Sequence, residues 1–183
     1  MAGKYTPNVV TRFYRPPEIC LTAQDYTIAC DLWGIGCIFA EMFRRKPILM
    51  GTSDLDQFLR IMDLVGTPTE ESFPGWYMYP GFAQLEGMRF KVNMLRRWFQ
   101  DMDPLAVDLL ERFLTLDPRQ RISAPEALEH AYFSTEPLAA ELDALPRFDS
   151  SHEYDNRPDR DRRDPLKREN ALNIGAKHAE RVQ

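Results

Sequence analysis

The sequence predicts a mainly α fold, and three observations lead to this prediction. The stretch Thr27–Phe43, TIACDLWGIGCIFAEMF, is long enough for a helix and has apolar residues all around the helical wheel. Two further segments, near Ser53 and at Asp103, combine helix-start residues with apolar residues at helical spacing. Alternating apolar and polar runs of the kind that predict strands do not occur.

The helix over Thr27–Phe43 is expected in the centre of the core, because a helix that is apolar on every side is buried in a fold or in a membrane. A membrane span needs roughly 20 mostly apolar residues, and Asp31 and Glu41 interrupt this run. We expect an apolar surround for Asp31, whose carboxylate then needs donors or stays protonated. The Gly34-x-Gly36 pair is interpreted as helix packing, because no strand precedes it as in a phosphate loop.

The other elements follow in chain order. Residues 1–24 contain three prolines and no helical period, which predicts an extended, loop-like segment. A second helix is predicted from Ser53 or Asp54 to about Val65, with Gln57 as the capping-box partner of Asp54.

Two more helices are predicted from their start signals. Asp103 is typical of an N-cap and Pro104 of the first helical position, which predicts a third helix over PLAVDLLERFLTL. Ser123 and Glu126 form a capping-box pattern, which predicts a short fourth helix that ends near His130.

Aromatic residues are concentrated between the second and third helices, in a segment rich in Pro and Gly. They are Trp76, Tyr77, Tyr79 and Phe82. Because they show no helical or strand period, we expect them to cover the core. A platform that stacks nucleic-acid bases is the alternative, but it needs a basic groove, whereas the net charge is −5. We therefore expect no direct contact with nucleic acid.

The composition narrows the class of protein. A hydrophobic content of 44% is enough for a core, and 183 residues fit one domain with a tail. Cys20, Cys30 and Cys37 favour a reduced intracellular protein over a disulfide scaffold, and neither they nor the scattered histidines predict a metal site. The opening residues MAGKYTPNVV lack the apolar region of a signal peptide. We expect a soluble intracellular protein without a membrane partner.

The chain is expected to divide into a body and a tail. Residues 25–135 contain the predicted helices and form the helical body, and residues 136–149 are predicted to be a linker. Residues 150–183 have few apolar side chains and a dense mixture of charges. Such a segment buries too little surface to fold, so we expect it to be disordered.

Five strings occur in a fixed order. They are TPNVVTRFYRPPE (Thr6–Glu18), DLWGIGCIFAEM (Asp31–Met42), VGTPTEESFPG (Val65–Gly75), LDPRQRIS (Leu116–Ser123) and ALEHAYF (Ala127–Phe133). In order and spacing they resemble the carboxy-terminal lobe of cyclin-dependent protein kinases, in the CMGC group of Ser/Thr kinases. The YRPPE string and the tail PLAAELDALPRFDSSHEYD are most similar to the transcriptional branch, the P-TEFb and fungal Bur type that phosphorylate the carboxy-terminal domain of RNA polymerase II.

The resemblance covers residues 4–135 and implies a kinase-like C-terminal lobe, made of the helices after the activation segment, with the small lobe absent. It identifies residues 1–24 as part of the activation segment followed by the P+1 loop, where P+1 denotes the substrate residue after the phosphorylated Ser or Thr. Thr6 takes the place of the activation-loop threonine, whose phosphate recruits arginines and orders the loop. Pro7 and Phe13 depart from the family pattern.

The P+1 pocket is implied at Val9, Val10, Thr11 and Arg15. In the family the backbone here is turned away from hydrogen bonding to the substrate, so that proline, which lacks an N–H, loses nothing. The resemblance therefore implies specificity for Ser/Thr-Pro sites. Packing of the two valines on the core helix is an alternative that the residue types leave open.

Three further residues receive structural roles from the resemblance. Glu18 ends the PPE form of the A-P-E motif and is implied to form an ion pair with Arg121. Asp31 takes the place of the aspartate that accepts hydrogen bonds from the catalytic-loop backbone. Without that loop, we expect the apolar face beneath it to be exposed.

The sequence contains no Gly-rich loop, no strand lysine paired with a helix glutamate, no H-R-D-x-x-x-x-N catalytic loop and no D-F-G metal ligand. The resemblance thus implies an N-terminally truncated kinase with no catalytic residue in this chain. ATP and Mg²⁺ are the family's cofactors, and neither is expected to bind here. Cyclin is the family's partner, but its main contact lies in the small lobe.

The leading prediction is a fragment of a proline-directed Ser/Thr kinase of the cyclin-dependent type, inactive by itself and nuclear by resemblance. One alternative is a non-catalytic interaction module that competes with the full-length kinase. A fragment of another CMGC kinase, such as a MAP-type enzyme, is the other alternative.

Overall fold

The computed structural model describes residues 10–21, 26–85 and 87–145. These ranges contain six α-helices and no strand, which confirms the mainly α prediction. The helices are α1 (Pro17–Cys20), α2 (Ala29–Arg44), α3 (Asp54–Val65), α4 (Leu95–Trp98), α5 (Pro104–Phe113) and α6 (Ala124–Leu128). Within the described ranges, every helix is too short or too polar to cross a bilayer.

The chain divides into two compact units, Met1–Ala139 and Ala140–Gln183. All six α-helices belong to the first unit. In the second, residues 140–145 are described and include the 3₁₀ helix Leu142–Ala144. The division falls inside the predicted linker, and the tail predicted at 150–183 lies outside the described residues.

Helix α2 is the central helix of the first unit, and α5 packs against it. Its buried face includes Trp33, Cys37 and Ala40, which are fully or almost fully enclosed. Arg45 ends the helix in the left-handed conformation, with a φ of 56° and its N–H bonded to the Glu41 carbonyl. This geometry is the usual helix C-cap, although glycine is the common residue there.

The prediction that α2 is buried on every side is wrong. Ile35, Ile38 and Met42 are 47%, 49% and 66% exposed. Asp31 is also exposed, on the first helical turn, so the expected apolar surround is corrected too. A carboxylate in that turn is stabilised by the helix dipole and by water, and it does not need buried donors. Part of α2 thus exposes apolar side chains.

The two glycines of α2 give a matched pair of variants. A Cβ at Gly36 would lie 2.6 Å from Phe113 Cβ, whereas a Cβ at Gly34 would meet nothing closer than the Tyr14 carbonyl at 3.9 Å. Gly34→Ala should therefore stabilise the fold by up to about 1 kcal/mol, since alanine favours helix. Gly36→Ala should destabilise it by roughly 1–3 kcal/mol through overpacking against α5. Urea unfolding of both variants measures the difference, and equal effects would contradict this α2–α5 contact.

Helix α3 begins where it was predicted, but its cap differs. The Ser53 side chain is the N-cap and accepts from the Asp56 N–H. Gln57 is not the capping partner of Asp54: its Oε1 accepts from the Gly51 N–H at 2.8 Å. The side chain is fully buried there and closes the turn before the helix.

The segment before α2 is less extended than predicted. Arg12–Tyr14 form a 3₁₀ turn, and α1 begins at Pro17. Proline favours the first helical position because its φ is already helical and its missing N–H is not needed there. The paired prolines, which indicated a loop, thus also start a short helix.

The later local predictions agree with the structure. Asp103 caps α5 by accepting from the Leu105 N–H at 2.8 Å, and the capping box of Ser123 and Glu126 starts α6. Helix α5 ends at Phe113, three residues before the predicted end. The covering role of the aromatic segment is confirmed for the three rings that pack against the core, which are Trp76, Tyr79 and Phe82.

Candidate functional site

The segment Val10–Glu18, hereafter the anchored segment, is held by polar side chains along its length. Its 3₁₀ turn lies against α2 and α3. The Tyr14 hydroxyl donates to Glu41 Oε2 of α2 at 2.8 Å. The pKa of the Tyr14 phenol is raised, mainly because this bond stabilises the protonated form. The segment is therefore tied to the central helix.

Val10 adopts the left-handed conformation, with a φ of 63°. A β-branched residue rarely does so, and such strain persists where the surroundings enforce it. Here the Arg15 guanidinium donates from Nη2 to the Val10 carbonyl oxygen at 3.0 Å. Arg15 thus holds the carbonyl of a strained residue within the segment itself.

Arg15 is in turn bound to α3. Its Nη1 donates to Asp54 Oδ1 at 2.6 Å, and Arg12 Nε lies 3.4 Å from the same oxygen. The Arg15 side chain is 8% exposed, whereas those of Asp54 and Arg12 are 38% and 42% exposed. The buried guanidinium therefore joins the left-handed residue to the start of α3.

The carboxyl end of the anchored segment is held by a buried ion pair. Arg121 donates to both Glu18 oxygens, at 2.9 and 3.0 Å. The two side chains are 0% and 3% exposed. Arg121 also donates to the carbonyls of Ala29, Thr115 and Leu116. One guanidinium thus joins α1, the start of α2 and the turn after α5.

The predicted site residues are only partly within the described ranges. Thr6 and Val9 lie outside them. Thr11 is exposed, and its carbonyl accepts from the Tyr14 N–H at 2.9 Å. Asp31 lies at the start of α2, where the Cys30 Sγ is 3.6 Å from its Oδ1.

Asp54 and Glu41 were not identified as site residues from the sequence. Asp54 is 39 residues from Arg15, and Glu41 is 27 residues from Tyr14. No local spacing pattern reports contacts over such distances. The sequence does contain one signal for Glu41, because an acidic residue at the edge of an apolar helix is unusual.

The described cysteines are not candidate nucleophiles. Burial is the main reason that the pKa of each thiol is raised. It raises the pKa of Cys37 to about 12 and that of Cys30 to about 11, and the pKa of Cys20 is raised more than either. The thiolate is the reactive form, so these side chains stay protonated and inert near neutral pH. In residues 10–21, 26–85 and 87–145, no group of three or more His, Cys, Asp or Glu is placed to hold a metal ion.

Comparisons with known proteins show which proteins this chain is similar to. The family model described as Protein kinase domain matches residues 1–133. The Serine/threonine-protein kinase bur1 of Emericella nidulans is 51% identical over 153 residues, which are 84% of this chain and 28% of that protein. The Probable cyclin-dependent kinase 9 of Schizosaccharomyces pombe is 43% identical, over 88% of this chain and 27% of that protein.

A solved structure is similar as well. The crystal structure of the yeast RNA Pol II CTD kinase CTDK-1 complex matches with a TM-score of 0.71 and 34% identity, over 74% of this chain and 46% of that one. The chain spans less than a third of the length of the two curated relatives.

Proposed function

Because this chain belongs to the protein kinase family, we propose that it forms the substrate-binding side of a Ser/Thr kinase of the cyclin-dependent type, selective for proline at P+1. In this proposal the chain corresponds to the C-terminal lobe of the kinase fold. The similarity to bur1 and to a cyclin-dependent kinase favours this type over a MAP-type enzyme.

The observation that carries the proposal is the left-handed Val10, whose carbonyl accepts from Arg15. A carbonyl engaged in this way is turned toward the protein and is not free for the N–H of a P+1 residue. An ordinary P+1 residue would then leave its N–H unpaired on binding, whereas proline has no N–H to leave unpaired. A buried unpaired donor costs about 1–3 kcal/mol, which corresponds to a preference of roughly 5- to 150-fold.

The other predicted residues take supporting roles in the proposal. Thr6 is the phosphorylation site whose charge orders the activation segment. The Glu18–Arg121 pair anchors the end of that segment to the lobe. Val9 and Thr11 complete the P+1 pocket around Val10.

We further propose that the catalytic loop of the intact kinase packs on the exposed face of α2, with Asp31 accepting its backbone N–H groups. The exposure of Ile35, Ile38 and Met42 supports this assignment, because apolar side chains at helical spacing favour a protein contact. The same exposure favours a second candidate function, a non-catalytic interaction module that competes with the full-length kinase.

The remaining parts of the reaction belong to the intact kinase in this proposal. ATP is the phosphate donor, and Mg²⁺ neutralises the charge of its phosphates. The sequence holds neither the nucleotide-binding motifs nor the catalytic ones. We propose that the 183-residue chain itself neither binds ATP-Mg²⁺ nor transfers phosphate. A cyclin partner, a nuclear location and the RNA polymerase II carboxy-terminal domain as substrate are proposed from the relatives' names.

A chimera tests the proposed function. The segment of the Emericella nidulans kinase that matches this chain is replaced by this chain's residues, and transfer to paired Ser-Pro and Ser-Ala peptides is measured. We expect kcat/KM to be about tenfold or more higher for the Ser-Pro peptide, because only that peptide leaves no N–H unpaired. The unaltered E. nidulans kinase is the control for peptides and assay, and the 183-residue chain alone should give no transfer. An active chimera that uses both peptides equally would contradict the proposal.

A further inference from the structure

We infer that Asp54, at the start of α3, is a positioning residue for the proline-selective site, acting on Val10 through Arg15. This inference rests on the proposed function, since it concerns the same P+1 pocket. It identifies a residue outside the anchored segment as a determinant of which peptides that segment accepts.

Few of the described groups orient the Arg15 guanidinium. Among the described residues, its guanidinium has two partners, the Val10 carbonyl and the Asp54 carboxylate. Its Nε is buried and has no partner within the described ranges. Of the two partners only Asp54 carries a charge, and the shorter contact is the one to Asp54. Asp54 is therefore the group that fixes where the guanidinium points.

The left-handed backbone of Val10 is strained and needs a contact that holds it. A β-branched residue leaves the left-handed region unless a contact holds it there. The contact at hand is the hydrogen bond from Arg15, and its geometry depends on Asp54. If Asp54 is removed, the buried charge of Arg15 is left uncompensated and its side chain turns toward water. The Val10 carbonyl then becomes free to accept from a P+1 residue other than proline.

The start of α3 holds Asp54 in a fixed position. Asp54 is the first residue of α3, directly after the Ser53 N-cap, and the Gln57–Gly51 bond closes the preceding turn. A carboxylate on the first helical turn also interacts favourably with the helix dipole. The same carboxylate lies 3.4 Å from Arg12 Nε, so it holds two arginines of the anchored segment. Asp54 thus transmits the fixed position of α3 to the site.

The experiment uses the ¹³C,¹⁵N-labelled 183-residue chain. Backbone ¹³C shifts of Val10 report its φ and ψ, and titration with paired Ser-Pro and Ser-Ala peptides gives two dissociation constants. In Asp54→Ala we expect the Val10 shifts to move toward extended values and the preference for Ser-Pro to fall about tenfold, to near equality. Asp54→Glu retains the charge and should restore most of both signals. Asp56→Ala, on the same helix turn but bound to Thr52 and Arg60, should change neither.

The outcomes separate the inference from the proposed function. Equal affinity of the unaltered chain for both peptides would overturn the proposed function and this inference with it. A preference for Ser-Pro that persists in Asp54→Ala, with unchanged Val10 shifts, would overturn the inference alone. Loss of the preference in both Asp54→Ala and Asp56→Ala would also overturn it, because general destabilisation of α3 would then be sufficient.

Discussion

Replacing Arg121 by alanine is expected to destabilise the fold by about 3–5 kcal/mol, the cost of removing one partner of a buried ion pair. Glu18 would remain as a buried carboxylate without its cation. The carbonyls of Ala29, Thr115 and Leu116 would lose a donor as well. The midpoint of urea unfolding measures this loss. Since small domains have only about 5–15 kcal/mol of stability, this loss would remove a large share of the stability of the fold.

Two further variants make this result specific. Arg121→Lys keeps the charge, but its ammonium has three donors where the guanidinium makes five hydrogen bonds, so it should recover only part of the stability. Arg60→Ala removes an exposed ion pair with Asp56 and should cost no more than about 0.5 kcal/mol. If Arg121→Ala were as mild as Arg60→Ala, the buried pair would not be holding the anchored segment.

Features set by neighbouring residues could be predicted from the sequence. The cap at Asp103 and the capping box of Ser123 and Glu126 each depend on a few consecutive residues, and the structure contains them. The cap of α3 was predicted less well, because two capping patterns overlap there. Ser53 takes the role assigned to Asp54, and Gln57 is recruited by Gly51 in the preceding turn.

Contacts between distant residues could not be predicted from local pattern. Glu18 and Arg121 are 103 residues apart, and only the family resemblance linked them. The predicted environment of Asp31 was wrong, because the residue types along a helix do not reveal which neighbouring segments cover each of its faces. Asp54 was not identified as a site residue for a similar reason. Acidic residues are common at helix starts, so its position gave no sign of a contact with Arg15.

Replacing Arg15 by methionine is expected to remove most of the preference for proline. Methionine fills a similar volume but donates no hydrogen bond, so the Val10 carbonyl loses its partner. Asp54 loses its buried cation at the same time. In the chimeric kinase we expect the kcat/KM ratio for Ser-Pro over Ser-Ala peptides to fall from about tenfold or more toward one. Part of this fall should come from faster use of the Ser-Ala peptide, which general damage to the fold cannot produce.

Arg12→Met is the matched control for this substitution. Arg12 is an exposed neighbour in the same segment, it makes only the longer contact to Asp54, and it has no bond to the Val10 carbonyl. The peptide preference should therefore change by no more than about twofold, as is usual when an exposed ion pair is removed.

In the proposed site, Arg15 makes the anchored segment selective for proline by holding the Val10 carbonyl. The most direct test is the Ser-Pro to Ser-Ala ratio of kcat/KM, measured side by side in the unaltered chimera and in its Arg15→Met variant. We expect a strong preference in the first and near equality in the second, with a rise in Ser-Ala use. A preference that is the same in both proteins would contradict it.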